Sequence, residues 1–173
     1  MDYSVFLVVV TLALFPALMI YAAFSDLFTM TISNRISIAL VVGFFLLALA
    51  LHMPIRDIGQ HVACALCVLG VTFLFFALHW VGGGDAKLAS ATALWLGFDQ
   101  LWNYGIYAAL LGGALTLFIV VLRRWPLPPL LITQNWIARL HDHDAGVPYG
   151  IALAIAGLML YPDTHIWLSA ASF

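Results

Sequence analysis

The chain of 173 residues carries very little charge: six Lys and Arg together, one of them a lysine, and eight acids, all of them aspartate. A water-soluble domain has about a quarter of its residues charged; with 8% charged and 65% hydrophobic, a soluble globule is excluded. The net charge of -2 is small and dispersed, so nucleic acid finds no basic footprint here. Cysteine is almost missing. Cys64 and Cys67 stand one helical turn apart in an apolar run with no second pair, and they read as buried thiols rather than a metal or redox site. Internal repeats and low-complexity segments are also lacking, so residues 1–173 are expected to form one domain.

What the chain does contain is long apolar runs. Crossing the ~30 Å core of a bilayer takes about 20 apolar residues in a helix. Runs at residues 5–24, 36–51, 61–80, 104–122 and 148–161 meet or approach that length. A weaker segment at 88–98 is either a short span or a re-entrant piece. The expected fold is therefore an all-α, polytopic membrane protein of about six transmembrane helices with a short fourth segment. The first run lacks the basic start and small-residue cleavage site of a secretory signal and is expected to be a retained helix. Polar breaks are expected at 25–35, 52–60, 99–103 and in the long loop 123–147. Within that loop, residues 131–140 read as an amphipathic piece with Ile132, Trp136 and Leu140 on one side. Gly112 and Gly113 offer close helix contact.

Cations set the orientation. If the loops after the first, third and fifth spans face the cytoplasm, that side holds Arg35, Lys87, Arg123, Arg124 and Arg139, and Arg56 alone lies outside. Both termini are then expected outside.

At the end of the third run stands Gly82-Gly83-Gly84-Asp85-Ala86-Lys87-Leu88. Three glycines allow close backbone approach, and an acid at that depth suggests function by default. Asp85 reads either as a reactive carboxylate or as a helix cap. A Walker-type phosphate loop is excluded, because Lys87 lies between Ala86 and Leu88, without the Gly-Lys-Ser/Thr ending. On the same side, Asp26 also falls near a helix end, whereas the other acids lie in loops. Two carboxylates brought close share a proton. One then serves as general base on a water while the other donates to a carbonyl oxygen, which is peptide hydrolysis without a covalent intermediate.

The residues also resemble a family. The glycine stretch with Asp85 and Lys87 is similar to the GxGD-type motif of type IV prepilin peptidases. The segment from Asp26 to Ile32-Ser33-Asn34-Arg35 resembles the other aspartate motif, in which the acid precedes an Ile-Pro-Asn triplet; Ser33 replaces the proline. Gly146-Val147-Pro148-Tyr149-Gly150 is similar to the start of the last helix in the short, Tad/Cpa-type members. The resemblance implies a membrane aspartic peptidase of the bacterial inner membrane that needs no cofactor or metal. Its catalytic pair would be Asp26 and Asp85, facing the cytoplasm. Flp-type prepilins and pseudopilins would be the substrates, with membrane lipid around the enzyme and pilus assembly machinery as a further partner. Longer members carry a zinc-binding insert after the first span and methylate the new terminus; the short loop here leaves no room for that insert.

The supporting residues have two readings each. Gly82, Gly83 and Gly84 shape the loop around Asp85. Lys87 tunes the acid pair or holds a substrate carbonyl, or else snorkels to the interface. Asn34 and Arg35 position the first loop, and Tyr149 lines a substrate groove or packs between helices. The run His141-Asp142-His143-Asp144 reads as a solvated loop rather than a metal site. A transporter using Asp26 and Asp85 as an ion relay is the alternative function, and a non-catalytic assembly subunit is a third.

Overall fold

The structure, a computed structural model, describes residues 3–126, 128 and 133–171. The described residues form helices and no strand: α1 (Tyr3–Thr29), α2 (Asn34–Ala50), α3 (Ile55–Ala77), α4 (Gly83–Leu122), α5 (Asn135–His141), α6 (Gly150–Leu160) and α7 (His165–Ala171), with a 3-10 turn at Tyr161–Asp163. Stretches of α1, α3 and α4 are long and apolar enough to cross a membrane, and α2 and the 150–163 segment are shorter apolar helices. The chain is a multi-pass, all-helical membrane protein.

The 40 residues of α4 would measure about 60 Å if straight, twice a bilayer core. They do not run straight. Gly97 has φ 71° and ψ -179°, a region open essentially to glycine alone. Past it the helix folds back: Tyr104 comes beside Thr92, although the intervening residues of a straight helix would hold them about 18 Å apart. The break frees the Leu94 carbonyl, which accepts from Nδ1 of His61 at 2.7 Å.

The first half of α4, residues 83–96, is the central helix. Leu88 through Gly97 are all buried, enclosed by α2, α3 and α6 and by Phe15 and Met19 of α1. Trp95 anchors it, with its ring centroid 5.2 Å from Phe15, 6.1 Å from Phe44 and 5.9 Å from Tyr161. Its indole N–H donates to the Leu40 carbonyl at 2.9 Å, so the largest core side chain has no polar atom left over.

The helix ends sort into two groups. The 30–33 loop, the 78–82 loop and the segments 123–126 and 133–149 share one end: Gly84 packs on Ile32, Phe28 on Trp136, and the Arg123 guanidinium donates to the carbonyls of Leu140, Ala145 and Gly146. Leu51, Pro54, Asp99 and His165 meet at the opposite end, around a polar cavity of about 360 Å³.

Several boundaries differ from expectation. The first break was expected at 25–35, but α1 continues through Thr29 and carries Asp26 in its last turn. It ends where Met30 turns left-handed at φ 55°, with Ser25 Oγ donating to the Thr31 carbonyl at 2.9 Å. The break expected at 52–60 is shorter, since α3 already begins at Ile55. The break expected at 99–103 is helix; the turn lies at Gly97 instead. Of the glycine pair at 112 and 113, Gly112 makes the close contact, because a Cβ there would run into the Tyr149 ring, and Gly113 has nothing within 4 Å. Trp136 and Leu140 do pack inward from α5, while Ile132 and its neighbour at 131 lie outside the described residues. Cys64 is buried, Cys67 is exposed and both are free.

Candidate active site

Asp26 is buried at 4% exposure between α1 and α6, and its Oδ2 accepts from the Gly150 backbone N–H at 2.7 Å. That approach requires glycine. A Cβ on residue 150 would sit 2.8 Å from the carboxylate and 2.6 Å from Ile32 Cδ1. The sequence motif at 146–150 thus holds the first acid by a main-chain bond, from the first residue of α6.

Asp85 is the third residue of α4, after Gly82 as N-cap. The Gly82 N–H donates back to its carboxylate, which is half of a capping box. Hence the helix-cap reading and the reactive-carboxylate reading describe the same side chain. Gly82 leaves room for this, since a Cβ would lie 2.9 Å from Asp85 Oδ2. Gly84 lets the α4 start press on the first loop, where a Cβ would be 3.1 Å from Ile32 Cβ. Gly83 faces Phe76 instead.

The two acids therefore arrive from different elements at one place. Both line a largely apolar cavity of about 820 Å³ and a smaller one of about 330 Å³ beside it. Asp26 is the charged group whose field bears on Asp85. Each has one backbone N–H donor on its carboxylate, a pattern that fixes the side chain and leaves oxygens for a water between them.

The supporting residues divide. Tyr149 lines the large cavity and donates to the Ala108 carbonyl at 3.2 Å. Lys87 does not join the acids: its Nζ donates to Asn34 Oδ1 at 2.9 Å, and it lines a separate groove with Ser37 and Ser90. This bond links the two aspartate motifs across their outer faces. Arg35 is exposed, and its backbone N–H donates to Ser33 Oγ at 3.3 Å. Ser33 is the N-cap of α2, so it starts the helix where the resembled motif has a proline. In the 141–144 stretch Asp142 Oδ1 accepts from the Asp144 N–H, and no group of three or more His, Cys or Asp able to hold a metal occurs among the described residues.

Two residues of this region were not foreseen. Tyr104 lines the large cavity, and its buried hydroxyl lies against Thr92, whose own hydroxyl donates to the Leu88 carbonyl. Gly105 lies beside it on the cavity wall. A tyrosine and a glycine within an apolar run carry no signal that would have singled them out.

Comparison with protein-family models matches residues 13–120 to the type IV leader peptidase family, a span that contains both acids. The chain belongs to the type IV leader peptidase family. A search of curated proteins and one of solved structures returned no match. Membership makes this a peptidase in a membrane, and the ion-relay and assembly-subunit readings have no comparable support.

Proposed function

We propose that this family member removes the N-terminal leader from Flp-type prepilins and related pseudopilins, with Asp26 and Asp85 activating one water. The observation that carries the reading is that two carboxylates from separate motifs open onto the same cavity. One carboxylate takes a proton from the water as its oxygen attacks the scissile carbonyl carbon. The other, protonated, donates to the carbonyl oxygen. As the tetrahedral intermediate collapses, the C–N bond breaks, the departing nitrogen takes the proton held by the first acid, and one hydroxyl of the diol returns its proton to the second as the C=O bond re-forms. No metal, cofactor or covalent intermediate enters, and the peptidase acts without methylating the new terminus.

The end of the molecule holding the acids is assigned to the cytoplasmic side of a bacterial inner membrane. Five of the six cations in the sequence, Arg35, Lys87, Arg123, Arg124 and Arg139, belong to that end, against Arg56 at the other. The path is six crossings, with α4 supplying two and both termini outside. Co-expression with a Flp-type prepilin tests the activity. A smaller pilin band is expected with the native chain and none with Asp26→Asn or Asp85→Asn at equal protein level; cleavage surviving in either variant would overturn the dyad.

A further inference from the structure

Arg123 is the C-cap of α4, and a cation beside the last carbonyls of a helix is ordinary. Where its guanidinium goes is not. Nε donates to the Leu140 carbonyl at 2.8 Å, and Nη2 donates to the Ala145 and Gly146 carbonyls at 3.0 Å each. The Leu140 carbonyl belongs to the last turn of α5, where helix oxygens lack partners of their own. No acid pairs with Arg123 among the described residues. A rigid fork of donors on three backbone oxygens fixes the course of a chain and neutralises nothing. Arg124, next in sequence, has no share in these bonds.

The chain held in this way leads directly to the acid pair. Gly146, Val147 and Tyr149 line the 820 Å³ cavity, and the Gly150 N–H donates to Asp26 Oδ2 at 2.7 Å. Val147, Pro148 and Tyr149 alone separate the last carbonyl under Arg123 from that glycine. Pro148 is buried; its ring fixes its own φ and confines Val147 to extended backbone, so the strap has little freedom to absorb a shift. The far side of the strap is tied to the same helix. Tyr149 donates its hydroxyl to the Ala108 carbonyl at 3.2 Å and rests its ring on Gly112. The outer half of α4 therefore grips residues 145–149 at two points, one on each side of Pro148.

Resting on the peptidase reading above, we propose that Arg123 is a positioning residue for Asp26, fixing the 145–149 strap so that the Gly150 N–H stays on the carboxylate. Without the fork the strap withdraws and Asp26 loses its backbone donor. Its oxygens then leave the place where a water is shared with Asp85. Arg123 acts through the backbone and is not itself a catalytic residue.

The test compares Arg123→Ala, Arg123→Lys and Arg124→Ala in the full chain in lipid nanodiscs. Arg124→Ala removes an equal charge from the same end and should keep prepilin cleavage within about twofold of native. Arg123→Ala should lower kcat by about tenfold or more with KM unchanged, since the α3 and α4 walls of the cavity stay in place. Arg123→Lys keeps the cation that sets sidedness but not the fork; it should insert normally and lose kcat in the same direction, and it carries the test if Arg123→Ala fails to accumulate. Combined with Gly150→Ala, Arg123→Ala should cost no further activity, because both act on one bond; a merely structural loss would multiply. Asp85, Tyr104 and Tyr149 line the cavity with Asp26 and are unaltered in these variants. The acid limb of the pH profile should therefore move to higher pH, as a carboxylate that loses an N–H donor holds its proton more tightly. Unchanged kcat in the Arg123 variants, or losses that multiply with Gly150→Ala, overturn the assignment and leave the peptidase reading intact. If the native chain cuts no prepilin, the peptidase reading falls, and the strap is judged by nitrogen-15 glycine spectra. The Gly150 amide resonance, identified by its loss in Gly150→Ala, should shift in Arg123→Ala and hold in Arg124→Ala; an unmoved resonance overturns the positioning role.

Discussion

Gly150 shows how little room the acid pair leaves. A methyl group there falls inside contact distance of both the Asp26 carboxylate and Ile32, and overpacking of this kind costs about 1–3 kcal/mol. Gly150→Ala should therefore lower prepilin cleavage by about tenfold or more while the protein still accumulates in the membrane, read by pilin band shift against immunoblot. Asn34→Ala tests a milder contact. Its bond to Lys87 is exposed and worth at most about 1 kcal/mol, so a melting temperature lower by a few degrees with most activity kept is the expected result. Tyr104→Phe removes a buried hydroxyl that lies against Thr92, which keeps its own bond to the Leu88 carbonyl. Losing that contact costs at most about 1 kcal/mol, so thermal unfolding in detergent should shift by no more than a few degrees. At this scale the sequence was legible where charge is scarce: Asp26, Asp85 and Lys87 stand out because so few ionisable residues surround them. Gly150 and Tyr104 matter through shape, and shape around one residue depends on chain that is distant in sequence. Lys87 shows the same limit, since its neighbour Asn34 lies 53 positions away and turns it from the acids.

Helix ends teach a related lesson. Polar residues were read as breaks, and at 99–103 and 25–29 they proved helical. Hydropathy marks where a bilayer stops, whereas a helix stops where its backbone can no longer continue, and helices extend beyond the apolar layer. The Gly97 turn was hidden for the converse reason, as a single glycine amid apolar residues. Gly97→Ala forces a side chain into a glycine-only region and brings a Cβ to 3.0 Å from His61 Cε1. It is expected to destabilise the protein by about 2–3 kcal/mol, seen as a drop in membrane-inserted protein and in melting temperature. Ser33 worked the other way: as the cap of α2 it supplies by side-chain bonding the helix start expected of a rigid proline.

For the molecule as a whole, the all-helical membrane architecture followed from the unbroken apolar runs, because a chain in lipid satisfies its backbone as helices or as a closed barrel and barrel strands alternate apolar with polar residues instead. Which ends of which helices meet was legible only through the cation bias. The grouping of the 30–33, 78–82 and 133–149 segments predicts that reporters inserted after residues 32, 80 and 143 give one sidedness and a reporter at residue 53 gives the opposite. A fusion pattern mixing these groups would contradict the arrangement. The central stretch of α4 adds a last consequence. Residues 83–96 span only about 21 Å, and each tip opens on a hollow, the acid pair's at one side and the Asp57, His61, Asp99 and His165 basin at the other. Solvent entering both hollows would leave a dry waist thinner than the surrounding lipid, and backbone deuterium uptake along this stretch should be quick at the two tips and slowest midway, around Ala89 to Thr92.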